Sequence, residues 1–142
     1  MDYIDNGIVN LAIKDKLFHS DKLEVRKSSL QGYGVFTKED IDEGELLEEC
    51  HHIEVPDDVT VERYIFNWPR GDYELEKYVL SLGFGCIYNG APVGEENVSW
   101  KTDMENDILV FYATKDIKKE SELLLYYDYE DEELIKRNIK NK

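Results

Sequence analysis

Apolar residues along this chain form short, separate groups whose spacing is mostly typical of β-strands. Residues 22–27 alternate between polar and apolar positions, with the period of two expected of a half-buried strand. A strand is predicted from Val35, and another from Leu46 to Val55, where Pro56 ends it. Apolar runs at 108–113 and 123–127 indicate buried strands. The pattern predicts a mainly β (α+β) fold of short strands.

Three segments follow helical spacing instead. Apolar residues recur every three or four positions at 61–68 and at 74–82, and Gly83 would end the second helix. Residues 131–141 begin acidic and end basic, the order that the helix dipole favours. The predicted organisation is an N-terminal extension (1–21), one domain (22–130) with a variable helical insert (53–82), and a C-terminal helix (131–142).

A short sequence echo links two parts of the chain. Thr37 to Ile41 resembles Thr114 to Ile117, and each copy leads into a Glu-Leu-Leu sequence, at Glu45 and Glu122. The echo predicts the same strand-turn-strand arrangement twice. It excludes a solenoid, which needs about three stacked repeats.

Composition and charge narrow the possible partners. The chain has 142 residues, the size of one domain, and 17 Lys and Arg against 32 Asp and Glu give a net charge of −15. The electrostatic field of this negative charge repels phosphate groups and attracts cationic partners. We therefore expect a basic protein or peptide as partner, and neither nucleic acid nor a membrane.

The two cysteines, Cys50 and Cys86, are too few for a disulfide framework or a four-thiolate zinc site. On a strand, Cys50 and His52 would share one face and His51 would point away, so we expect no metal site.

The N-terminus has no signal-peptide pattern and no apolar run is long enough to span a membrane. These features predict an intracellular protein.

Two local motifs have ordinary structural explanations when each is considered alone. Gly32-Tyr33-Gly34 indicates a sharp bend or a close approach to a ligand, but Thr37 replaces the third glycine of a dinucleotide-binding loop. The tyrosines at 126, 127 and 129 are typical of aromatic core packing with satisfied hydroxyl groups.

Considered together, four motifs in order resemble the SET-domain protein-lysine methyltransferases. Residues 32–36 resemble the opening cofactor motif, and residues 44–49 the strand after it. Residues 82–89 resemble the segment that leads into the family's Asn-His-Ser motif, with Asn97 where a Pro-Asn step usually follows. Residues 122–127 resemble the closing Glu-Leu…Tyr strand. Residues 64–68 before 82–85 are similar to the short, stand-alone SET proteins of viruses and bacteria.

The resemblance implies a β-clip-like fold of small sheets, in which residues 84–89 thread through a loop formed by the chain's end as a C-terminal pseudoknot. It implies S-adenosylmethionine as cofactor and a lysine in a basic protein, such as a histone or histone-like tail, as substrate. A narrow aromatic channel would desolvate the lysine amine and lower its pKa from about 10.4. Neither a metal nor a covalent nucleophile is required.

The same resemblance assigns the site residues. Tyr127 is the catalytic hydroxyl, and the substrate channel involves Tyr88, Leu125 and Tyr129. The cofactor-binding residues are Gly32, Tyr33, Gly34, Asn89 and Gly90. Host, target lysine and oligomeric state are left open, with a homodimer among the alternatives.

The chain departs from the family pattern at three places. Asn89-Gly90-Ala91 replaces Asn-His-Ser, Glu120 replaces a turn glycine, and Tyr126 stands where Asp is common. Two other functions therefore stay open. One is a catalytically degenerate SET fold that binds basic peptides, and the other is an acidic mimic that sequesters basic proteins by charge alone.

Overall fold

The computed structural model describes residues 14–56, 64–70, 77–92 and 94–126. Regular structure in these ranges consists of ten short strands, without a helix. The strands are β1 (Leu23–Lys27), β2 (Tyr33–Thr37), β3 (Leu46–Cys50), β4 (His52–Val55), β5 (Ile65–Asn67), β6 (Tyr78–Ser81), β7 (Asn89–Gly90), β8 (Val98–Asp103), β9 (Ile108–Ala113) and β10 (Glu122–Leu125). The predicted mainly β fold is confirmed.

Seven strands form the larger sheet. Its order is β1-β2-β10-β8-β9-β3, and β7 pairs with β10 beside this path. The central strand β10 runs antiparallel to β2 and parallel to both β7 and β8. Segments that are distant in the sequence therefore meet at β10.

The smaller sheet has the order β4-β6-β5, and it replaces the helices predicted at 61–68 and 74–82. Those predictions are wrong where the chain is described, because residues 65–67 and 78–81 are strands. Exposure along β6 alternates between half-buried and buried, so that Val79 and Ser81 share the covered face. The non-local pairing of β6 with β4 and β5 outweighs the local helical spacing.

The two copies of the sequence echo contact each other. Ile41 and Ile117 exchange both backbone hydrogen bonds at 2.8 Å. Gly44 N–H donates to the carbonyl of Ala113, and Glu120 N–H donates to that of Thr37. These bonds are equivalent in the two copies, because Glu120 follows Gly44, and Ala113 follows Thr37, by the same 76 residues by which Ile117 follows Ile41. The arrangement is therefore repeated, and the two copies pack against each other.

A hydrophobic core lies beneath the larger sheet. Phe111, Leu109, Val35, Leu123 and Leu125 are fully buried in it, and Phe66 and Trp100 extend it towards the smaller sheet. At the sheet edge, Glu49 N–H donates to Phe18 O, and Ser20 N–H donates to Leu47 O. The residues before β1 thus cover the open edge of β3, which would otherwise present unpaired backbone groups.

Two predictions fall outside the described ranges: the C-terminal helix at 131–142 and the loop of the chain's end that would complete the pseudoknot. The predicted domain boundaries stay predictions. Within the described part of the chain, no helix is long and apolar enough to cross a membrane.

Candidate functional site

Strand β10 brings the predicted cofactor motifs together. Leu123 pairs with Val35 of β2. Leu124 and Leu125, further along the same strand, pair with Asn89 and Gly90 of β7. The glycine-rich motif and the Asn-Gly step are far apart in the sequence and meet here beside β10, where Asn89 Nδ2 lies 3.4 Å from Tyr33 O.

A carboxylate at the start of β10 joins these motifs. Asn89 Nδ2 donates to Glu122 Oε2 at 2.6 Å, and Ser28 Oγ donates to Glu122 Oε1 at 2.8 Å. The same Asn89 amide also reaches the carbonyls of Gln31 and Tyr33, at 3.3 and 3.4 Å. Asn89 is 3% exposed. The hydrogen bonds of this carboxylate therefore join three segments: the turn at residues 28–33, β7 and β10.

Gly34 leaves the space that this carboxylate and amide fill. A Cβ at Gly34 would overlap the Glu122 carboxylate and lie 2.9 Å from Asn89 Nδ2. The second glycine of the motif therefore serves the close approach of side chains from β7 and β10. Its role in cofactor binding stays a prediction.

The turn before β2 is held by its own hydrogen bonds. Ser28 Oγ accepts the N–H of Leu30 at 3.0 Å, and Ser28 N–H donates to Gly32 O at 2.7 Å. Gly32 has a φ of 50°, in the left-handed region that glycine tolerates best. Next to this turn, Tyr33 and Leu30 are exposed by 65% and 56%. The turn offers an ordered backbone and an apolar surface beside the buried Asn89.

Asn97 extends the pairing of β10 with its side chain. Its Oδ1 accepts the Leu124 N–H at 2.7 Å, and its Nδ2 donates to Glu122 O at 3.0 Å. Its own N–H donates to Leu124 O at 3.0 Å. The side-chain amide thus substitutes for a neighbouring strand at a point where β10 would lack one.

Two of the residues assigned to the substrate channel lie in the core of the protein. Tyr88 and Leu125 are 0% exposed, and the Tyr88 ring stacks on Phe111 with centroids 5.2 Å apart. Both side chains serve the core, and their role as channel walls stays a prediction. Tyr127 and Tyr129 lie outside the described residues.

The amino-acid sequence indicated no role for Ser28 or Glu122, which lie in this site. It also indicated none for Glu48, a buried carboxylate elsewhere in the fold. Glu122 was identified only as part of the closing motif. A polar residue that begins or interrupts a buried apolar strand is the signal that could have singled out Glu122 and Glu48, because buried charges in proteins require partners.

Glu120 has a φ of 71°, in a region where side chains other than glycine are strained. Its Oε1 accepts from Arg26 Nη1 at 2.7 Å. The Arg26 guanidinium holds the pKa of Glu120 below its ordinary value, and the Glu120 carboxylate raises the pKa of Arg26. The departure from glycine is therefore accompanied by an ion pair that a glycine could not form.

Burial and the neighbouring Glu48 raise the pKa of the Cys50 thiol, which keeps it protonated. In the ranges that the structure describes, no group of three or more His, Cys, Asp or Glu side chains is arranged to hold a metal ion. His51 and His52 follow Cys50, and His52 Nε2 lies 3.2 Å from Asp107 Oδ1.

Comparison with known proteins identifies the class to which this fold and site belong. The family model of the SET domain matches residues 32–128. The chain belongs to the SET-domain family.

The relatives include histone methyltransferases. The chain is 30% identical, over 122 residues and 78% of both sequences, to a histone-lysine N-methyltransferase specific for H3 lysine 37 from Schizosaccharomyces pombe. It is similar to the crystal structure of a protein described as a histone methyltransferase of Plasmodium falciparum, with a TM-score of 0.63 and 26% identity. That match covers 78% of this chain and 96% of the other.

The structure is also similar to part of polycomb repressive complex 2 from Chaetomium thermophilum. The TM-score is 0.61 at 26% identity, over 79% of this chain. The match covers only 16% of that much longer chain. Similarity to viral or bacterial stand-alone proteins stays a prediction.

Proposed function

We propose that this protein is a protein-lysine N-methyltransferase that uses S-adenosylmethionine and acts inside the cell on lysines of basic proteins such as histones or histone-like tails. The main support is the meeting of residues 32–34 with Asn89 and Gly90 beside β10, where the Asn89 amide reaches the Tyr33 carbonyl. Membership of the SET-domain family and the histone-methylating relatives agree with it.

The residues present are compatible with the proposed cofactor. The backbone of Gly32 and Tyr33 and that of Gly90 would hold S-adenosylmethionine, with the exposed Tyr33 ring as an apolar contact beside them. When bound, this cofactor supplies a methyl group on a sulfonium sulfur. Replacement of the usual His by Gly90 removes a side chain but keeps the backbone groups at that position.

Tyr127 is the proposed catalytic residue. It follows Leu125, the last residue of β10, by two positions, and the family's closing motif has its tyrosine there. Its hydroxyl would orient the lysine amine, while aromatic walls exclude water and so favour the neutral amine. Tyr88, Leu125 and Tyr129 are the proposed walls of this channel.

The net charge of −15 supports a basic substrate, because long-range attraction raises the rate at which cationic segments reach the surface. The proposed partner is accordingly a lysine-rich protein segment. Nucleic acid and membranes are not proposed as partners.

The first experiment measures cofactor binding and transfer. Calorimetric titration with S-adenosylmethionine is followed by incubation with a panel of basic proteins and labelled cofactor, and mass spectrometry locates the modified lysines. Binding together with lysine methylation supports the proposal. Absence of binding at millimolar cofactor, with basic peptides still bound, would favour the degenerate binding module.

The second experiment tests Tyr127. Tyr127→Phe removes one oxygen with little change in volume, so we expect a stable protein whose single-turnover rate at saturating cofactor falls about a hundredfold or more. Tyr126→Phe is the matched control and should change the rate little, because residues 126 and 127 of an extended chain point in opposite directions. A Tyr127→Phe protein as fast as the wild type would remove this residue from the mechanism.

A further inference from the structure

A second buried carboxylate lies on β3, where Glu48 is 1% exposed. Tyr88 Oη donates to Glu48 Oε1 at 2.7 Å. The Phe84 N–H donates to Glu48 Oε2 at 3.3 Å, and His19 Nδ1 lies 3.2 Å from the same oxygen. One side chain therefore connects β3, the residues before β1 and the segment that leads into β7.

The chain between 83 and 88 is shaped around this carboxylate. Gly83 has a φ of 73°, and a Cβ on it would lie 3.0 Å from Glu48 Oε2. The His19 ring packs edge-on against Phe84, with centroids 4.6 Å apart. The Cys50 thiol also faces Glu48. A carboxylate so deeply buried is costly unless its partners stay in place.

These contacts end at the proposed cofactor site. Tyr88 immediately precedes Asn89 and Gly90, which form the whole of β7. A strand of two residues has few hydrogen bonds of its own, so the residues on each side of it determine where it lies. After β7, the Ala91 N–H donates to Leu125 O at 3.1 Å; before it, the Tyr88 hydroxyl is anchored on Glu48.

We propose that Glu48 is a positioning residue of this site: through Tyr88 and Phe84, its buried carboxylate fixes the 83–88 segment and thereby sets β7 against β10. This inference rests on the proposed function for its link to the cofactor. Glu48 touches neither Asn89 nor Gly90 in the contacts above and acts through Tyr88.

The principal test is Tyr88→Phe, which keeps the stacked ring and removes only the hydroxyl that binds Glu48. We expect the affinity for S-adenosylmethionine, measured by calorimetry, to fall about tenfold, the scale of a lost hydrogen bond to a charged group. Tyr112→Phe on β9 is the matched control and should leave this affinity unchanged.

Glu48→Gln is a second variant, which removes only part of the interaction. Its amide oxygen still accepts one hydrogen bond, but its NH2 group cannot accept the second. We expect a cofactor affinity between those of the wild type and Tyr88→Phe. An affinity equal to that of the wild type in both variants would overturn the proposal.

Amide hydrogen exchange separates positioning from general stability and needs no cofactor. In Tyr88→Phe, exchange at Ala91 should accelerate about tenfold more than exchange in the β8 and β9 hairpin. A uniform acceleration with unchanged cofactor affinity would assign Glu48 a purely structural role and overturn the inference. If the wild-type protein bound no cofactor, the proposed function would fall, whereas the exchange pattern would still decide whether Glu48 positions β7.

Discussion

At the scale of single residues, Gly34 and Glu120 are opposite cases. Glycine is required at position 34, whereas position 120 has a backbone conformation that favours glycine but is occupied by Glu. Gly34 has no side chain because Glu122 and Asn89 occupy the space of its Cβ. Glu120 has a side chain although its φ of 71° favours glycine. Its equivalent in the other copy of the repeat is Gly44, with a φ of 85°.

Gly34→Ala should lower the free energy of unfolding by about 2 kcal/mol, because the added methyl group displaces the Glu122 carboxylate from Asn89. Urea denaturation measures the change. Gly94→Ala is the control, since it adds the same group where no atom lies within 4 Å, at a strained φ of 90°. Its cost should be about 1 kcal/mol. A Gly34→Ala cost at or below that of the control would contradict the packing described for this glycine.

Glu120→Gly should raise the melting temperature by about 3 °C at high salt, because it relieves the strained φ where the ion pair with Arg26 is already screened. The gain should be smaller at low salt. The pKa of Glu120 is lowered in the folded state, so the ion pair stabilises above the ordinary carboxyl pKa and its contribution is lost as the pH falls through the lowered value. The gain should therefore also increase in acid.

Glu120→Gln provides the matched control, since it removes the charge and keeps the strained backbone. It should be no more stable than the wild type at neutral pH. If Gln raised the melting temperature as much as Gly, repulsion among acidic side chains and not backbone strain would be the cause.

At the scale of elements, β10 determines the site because it has neighbours on both sides along its short length. Antiparallel β2, parallel β7 and the Asn97 side chain satisfy its backbone groups in turn. The sequence indicates β10 clearly as an apolar run. Its neighbours come from segments far away in the chain, so the pairing is set by long-range contacts.

Asn97→Ala should lower the free energy of unfolding by about 1–2 kcal/mol, because the Leu124 N–H and the Glu122 carbonyl both lose a partner. Thermal or urea unfolding measures this cost. Asn106→Ala, in the turn between β8 and β9, is the control. Its side chain donates to Asp103, three residues earlier in the chain, and joins no separate strand, so the cost should be below about 0.5 kcal/mol. Equal costs for the two variants would contradict the strand-like role of Asn97.

At the scale of the whole molecule, the net charge of −15 governs the long-range attraction of other charged molecules. Long-range attraction between this surface and a basic substrate weakens as salt screens both, with a Debye length of about 10 Å at 0.1 M and 3 Å at 1 M. Under the proposed function, charge affects the encounter with a basic substrate, whereas methyl transfer takes place within the site.

We expect KM for a lysine-rich peptide to rise at least about tenfold between 0.05 and 0.5 M salt while kcat changes less than about twofold. The matched control is a peptide with one lysine among neutral residues, whose KM should change little. A flat KM for the basic peptide would contradict steering by charge. Complete loss of affinity with salt, without any turnover, would favour the acidic mimic.

The sequence by itself determined the mainly β character, the net charge, the two-copy echo and the order of the motifs that resemble the SET family. These properties depend on local composition, on hydrophobic period and on spacing along the chain. It also indicated the departures at Gly90 and Glu120, which are visible without coordinates.

The tertiary structure alone decided how distant residues combine. It assigned residues 65–67 and 78–81 to strands, because the pairing of β6 with both β4 and β5 supplies hydrogen bonds that helical spacing cannot reveal. It joined Glu122 to Asn89 and Glu48 to Tyr88 across long stretches of chain. A buried carboxylate gives no local signal of its partners, because its cost is met by groups that only the folded chain brings within hydrogen-bonding distance.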